Sequence, residues 1–152
     1  MRARLQERAF GLGARLMRGD RRCLRLGQPD LVQPLEQALG ALEHLPESRA
    51  RHEQAIDVRF GLRNALTSLR EHGRILTYLQ EAEGLAQALG DQHRLGWVAA
   101  YLTNQFWGTG DPQRAVEVGQ RALALAGTLG DAALQVVTHL FLGRAYHGLG
   151  DY

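Results

Sequence analysis

The chain has 152 residues, is 45% hydrophobic and carries a formal net charge of +2. That length suits one domain or a short run of repeats around a buried core, and a composition rich in Leu, Ala, Gly and Arg with few β-branched residues points to helix. All 18 basic residues are arginine, which excludes a Gly-Lys-Ser/Thr phosphate loop, a lysine Schiff base and a lysine general base.

Charge is unevenly spread. Residues 1–28 hold eight arginines against Glu7 and Asp20, so the rest of the chain sums to −4. We read residues 1–30 as a poorly defined, Arg-rich lead-in and residues 31–152 as the folded domain. A basic head of this kind is a candidate for nucleic acid or another anionic surface. Glu7, Asp20 and the lack of serine speak against an organellar presequence. Cys23 stands alone, which removes an internal disulfide or a cysteine-rich metal site and fits a reducing, cytoplasmic setting. No apolar run approaches the roughly 20 residues of a membrane span.

From residue 31 onward the pattern is helical. "LEQALGALEHLPES" reads as a lone helix whose upstream reach is limited by Pro29 and Pro34. Five further helices follow, over 47–71, 74–89, 92–108, 112–129 and 132–148, because apolar residues recur there at helical spacing between Gly-Asp marks. Leu95, Val98, Ala99, Leu102 and Phe106 form one stripe; Ala115, Val118, Ala122, Leu125, Ala126 and Leu129 form the next. Asp111 is a good N-cap and Pro112 suits the first helical position. At each Gly-Asp pair the glycine is expected to end one helix in the left-handed conformation while the aspartate caps the next.

These helices repeat. Residues 74–91 and 114–131 are identical at eight of eighteen positions, and the same shift of 40 aligns Leu62 with Leu102 and Leu142, Asn64 with Asn104, and Gly110-Asp111 with Gly150-Asp151. Self-similarity at a fixed period of 20–50 residues marks a solenoid. The expected fold is all-α, a right-handed α-solenoid of antiparallel helix pairs with a 40-residue period.

Leu102 and Phe106, then Gly110, Asp111, Ala115 and Ala122, and again "LGRAYHGLGDY" at 142–152, resemble the tetratricopeptide repeat over about residues 51–152. The phrases "AIDVRFGLRNAL", "GQRALALAGTLGDAALQVV" and "FLGRAYHGLGDY" look like the helical-repeat tract of bacterial ATPase-containing adenylate or guanylate cyclases and ATPase-type transcriptional regulators. Ala99 and His139 depart from the usual early Trp, Gly119 from a large residue, Gly127 from a common Pro, and the period from 34. The resemblance implies a non-catalytic, protein-binding scaffold within a larger signalling protein, with a partner segment or adjacent domain in the groove lined by the first helix of each pair.

On that reading, residues spaced i, i+3, i+7 and i+10 face the groove: Asp57, Phe60, Asn64 and Thr67; Trp97, Ala100, Asn104 and Trp107; Val137, Leu140, Arg144 and His147. The candidate ligand-binding residues are Asn64, Trp97, Asn104, Trp107, Arg144 and His147, whose amide and guanidinium donors suit a peptide carboxylate or main chain. Packing of both indoles between helices is the competing reading. No catalytic, cofactor or metal residues are expected. "HEQAI" at 52–56 lacks the second histidine of a zinc-protease helix, and "GLGARLMRG" has Leu16 where a dinucleotide fingerprint needs glycine. Glu81 and Glu83 lie on different helix faces. The last expected helix carries Val136, Val137, Leu140, Phe141 and Tyr146 where a following partner helix should begin, so self-association is expected there, as is the chain's being a fragment or truncated product.

Overall fold

The computed structural model describes residues 28–150, and the Arg-rich segment read in the sequence lies almost wholly outside them. After a 3-10 turn, Gln28–Leu31, come six α-helices: α1 Val32–Glu43, α2 Arg49–Thr67, α3 His72–Leu89, α4 Gln92–Gly108, α5 Pro112–Leu129 and α6 Ala132–Leu149. Among the described residues there is no strand. The described part of the chain is all-helical.

Local capping fixes where these helices stop and start. Gly90, Gly110, Gly130 and Gly150 all have positive φ, between 64° and 84°, a conformation that costs a side-chain-bearing residue about 1–2 kcal/mol. At the first three corners the glycine N–H donates to the carbonyl three residues back and the aspartate N–H to the carbonyl five back, as in Asp91 to Ala86 (3.0 Å), Asp111 to Phe106 (2.9 Å) and Asp131 to Ala126 (3.1 Å). These bonds satisfy carbonyls that a helix end leaves open. The same aspartate then begins the next helix: Asp91, Asp111 and Asp131 accept from the N–H of Arg94, Arg114 and Leu134 at 3.0–3.1 Å.

The corner between α2 and α3 departs from the expected bounds. The hydrophobic spacing predicts a helix over 47–71, whereas α2 ends at Thr67. Arg70 stands 20 residues before Gly90 and adopts the same left-handed conformation, φ 54°. Its N–H donates to Thr67 (3.2 Å) as the corner glycines do. Glu71, one methylene longer than Asp, binds the Arg74 guanidinium (2.7 Å). Between α1 and α2 the cap is Ser48, whose hydroxyl accepts from the Arg51 N–H (3.1 Å).

The chain forms two compact units divided between Leu85 and Ala86, inside α3. In the first, Leu35 and Leu42 of α1, Ile56, Leu62 and Leu66 of α2, and Ile75 and Leu79 of α3 are buried. Its rim is polar: Glu36 of α1 accepts from the Arg74 guanidinium and from the Tyr78 hydroxyl (3.0 Å), and Arg59 pairs with Glu81 (2.8 Å). Burial, then the Glu36 carboxylate, pushes the Tyr78 phenol above its ordinary range.

In the second unit the contacts set helix directions. Gly96 of α4 lies against Leu125 of α5, and Thr103 against Gly119, so these helices are antiparallel. Gly119 meets Leu142 of α6 and Pro112 meets Gly148, so α5 and α6 are antiparallel too. Consequently α4 and α6 run parallel, with Gly96 against Leu134 at their starts. The interior of α5 is small: Ala115, Ala122 and Ala126 are fully buried. Gly119 takes the position Leu79 holds one period earlier, and a Cβ there would sit 2.4 Å from Leu142 Cδ2 and 3.0 Å from Thr103 Cγ2. The departure noted in the sequence is thus a site of close helix approach, filled from the neighbouring helix. Thr138, fully buried on α6, has a hydroxyl with no hydrogen-bond partner.

Three outcomes follow for chemical or thermal unfolding. Arg70→Gly relieves the left-handed arginine and raises stability by about 0.5–1 kcal/mol, part of the gain being offset by the freer unfolded chain. Gly119→Ala lowers stability by about 1–2 kcal/mol through overpacking, whereas Gly127→Ala, in the same helix with open space around it, raises it by roughly 0.5–1 kcal/mol; equal effects would refute the close approach. Burial pushes the Asp91 carboxyl upward, but hydrogen bonds from the Arg94 N–H and guanidinium, with the charges of Arg94 and His93, outweigh it and hold the group below the usual carboxylate range. Such a depressed group adds stability above its unfolded value, near 4, that is lost as pH falls through the folded one. Asp91→Asn, which keeps an N-cap, is therefore less stable than the parent by about 0.5–1 kcal/mol at neutral pH, and the two unfolding curves converge towards pH 3.

Candidate functional site

The parallel pair α4 and α6 places equivalent positions of successive repeats side by side. Asn104 and Arg144, 40 residues apart, meet: the Arg144 Nη1 donates to Asn104 Oδ1 at 3.3 Å. The guanidinium carbon lies 5.6 Å from the Trp107 ring centroid and 5.8 Å from that of Phe141. Trp107 is 39% exposed, and its indole packs beside Gly148, with Cδ1 and Pro112 Cβ each 3.6 Å from where a Cβ would stand. One edge of the ring is thereby seated while another faces solvent.

Of the six residues selected from the sequence, three come together: Asn104, Trp107 and Arg144. His147 is exposed on α6, three residues beyond Arg144. Trp97 is half-buried and packs on Tyr101 of the same helix, centroids 5.7 Å apart and planes at 41°. Asn64 lies in the first unit, where its Oδ1 accepts from Arg63 Nη1 (2.9 Å). Two groove positions, Phe60 and Ala100, are buried and offer no ligand surface.

The chemistry open to the cluster follows from its weakest bond. A 3.3 Å contact between exposed side chains contributes little, and among the described residues Arg144 forms no ion pair. Guanidinium presents planar paired donors that match a carboxylate. A carboxylate can therefore displace the Asn104 oxygen while an apolar group rests on Trp107.

Sequence reasoning missed contacts that depend on helix packing. Asp131, read only as a cap, also accepts from His93 Nε2 at 2.9 Å, tying the first turns of α4 and α6. Arg114 stacks its guanidinium 4.3 Å from the centroid of Phe106, and Gln120 donates to the Tyr146 hydroxyl (3.1 Å). Among the described residues, no three His, Cys, Asp or Glu side chains converge as metal ligands, and no helix is long and apolar enough to cross a membrane. No protein-family model and no curated protein matches the chain.

Proposed function

We propose that this chain is a non-catalytic protein-interaction module: a tetratricopeptide-like, right-handed α-solenoid serving in the cytoplasm as a regulatory scaffold within a larger signalling ATPase or nucleotide cyclase. The period of 40, the shared corners and the antiparallel order of α4, α5 and α6 support the architecture. One observation carries the binding role. Asn104, Trp107 and Arg144 form a donor and aromatic cluster on two neighbouring repeats, with an exposed cation that no acidic side chain of the described residues neutralises. The occupant is a peptide segment or adjacent domain presenting a carboxylate beside an apolar side chain.

A short peptide ending in leucine and a free glutamate carboxylate is a suitable probe, with the Trp97→Phe protein leaving Trp107 as the fluorescent reporter. Binding is expected to quench or shift Trp107 emission; Arg144→Ala weakens it at least tenfold and Asn104→Ala several-fold. Because Arg144 is exposed, its removal changes stability by less than about 1 kcal/mol, so loss of binding is not loss of fold. Affinity unchanged in both variants would remove the assignment.

A further inference from the structure

One threonine behaves unlike the rest. Thr67, Thr77, Thr103, Thr109 and Thr128, the other five among the described residues, each donate their hydroxyl to the carbonyl four residues back at 2.7–3.0 Å. Thr138 is fully buried, and its hydroxyl has no partner among the described residues. Its equivalent on α4 is the buried Val98, the same shape with a methyl in place of the hydroxyl. Thr138 stands one turn from Leu134, which lies against Gly96 of α4, and one turn from Leu142, which lies against Gly119 of α5. The unpaired hydroxyl is therefore in the seam that joins α6 to the other two helices. Burying it there opposes docking, because water satisfies the group once the helix lifts.

Two further features of α6 act in the same direction. Val136, Val137 and Thr138 are three consecutive β-branched residues, whose side chains lose rotamer freedom in a helix. Gly143 is helical and exposed, with nothing within 4 Å of a Cβ built there, so it weakens the helix without the close approach found at Gly119. The ties of Arg144 to Asn104, Asp131 to His93 and Tyr146 to Gln120 lie near the surface and contribute little.

We propose that α6 is a movable strap, which lifts from α4 and α5 while those two stay paired, and that a ligand at Arg144 holds it down. The carboxylate cluster spans the seam: Asn104 and Trp107 are on α4 and Arg144 is on α6, and Trp107 also packs beside Gly148 of α6. A ligand whose carboxylate meets Arg144 and whose apolar group rests on Trp107 engages both helices at once. Contacts available only in the closed form shift the equilibrium toward it. Occupancy is thereby converted into order along α6. The ligand's part rests on the interaction-module reading; the strap itself does not.

Native-state hydrogen exchange of the intact protein, read helix by helix as protection factors, tests both parts. Amides in the middle of α6 are expected to be at least tenfold less protected than those in the middle of α4 and α5. Thr138→Val and Gly143→Ala each slow exchange in α6 at least fivefold. The peptide ending in leucine and glutamate, at a concentration that saturates the Trp107 signal of the Trp97→Phe protein, slows it at least fivefold, and fails to do so in Arg144→Ala. Equal protection of α6 and α4, or exchange in α6 indifferent to Thr138→Val, would overturn the strap. A peptide that shifts Trp107 emission yet leaves α6 exchange unchanged would overturn the coupling with the binding site intact. A peptide that does not bind at all overturns the site, and with it the ligand's hold on α6, while the comparison of Thr138→Val with the parent still decides the strap.

Discussion

Everything in the second unit depends on one two-residue device: a glycine that turns left-handed and an aspartate that follows it. The first closes a helix by returning N–H groups to open carbonyls; the second opens the next helix by accepting from its free N–H groups. Because both tasks are completed within two residues, there is no slack in the connection. Consecutive helices fold back on each other, and the corner itself constrains their relative offset. Repetition at 20-residue intervals then makes α4 and α6 parallel neighbours with the same register, which is why Asn104 finds Arg144 and Asp131 finds His93.

Small residues complete the arrangement. Ala115, Ala122 and Ala126, with Gly119 among them, bring α5 close to both α4 and α6. Such surfaces gain little from any single side chain, and their contribution comes from the close approach of backbones and from the leucines and phenylalanines of the flanking helices, Leu134, Phe141 and Leu142 on one side and Leu102 and Phe106 on the other. On the solvent-facing side of the parallel pair the same register brings Arg144 to Asn104 without disturbing the interior.

What could be read from the sequence was what local chemistry controls. The bounds of α4 and α5 came out as expected because their caps are written in adjacent residues: Asp91, Asp111, Pro112 and Gly130 act within one turn. The contact of Asn104 with Arg144 was accessible too, since period and helical spacing together place them at one level. The α2–α3 corner was hidden, because an arginine in the left-handed region carries no mark of it in the sequence. Equally hidden were Glu36 with Arg74 and Tyr78, which requires knowing how α1 meets α3, and the second role of Asp131. Of the proposed groove residues, Asn64 and Trp97 follow the same spacing rule as Asn104, but they engage Arg63 and Tyr101 on their own helices. Spacing along a helix defines a stripe; it does not say which neighbour claims it.

The alanine-lined interior of α5 has a mechanical corollary. Ridges made of single methyl groups are shallow, so lengthwise sliding of α5 is opposed chiefly where Leu142 fills the space above Gly119. At the edges, Gln120 with Tyr146 joins α5 to α6, while the Asp131 carboxylate, accepting from His93, ties the starts of α4 and α6. The lengthwise setting of α5 thus hangs on one leucine lodged in one glycine gap, with polar fasteners at the edges as its only other guide among the contacts described.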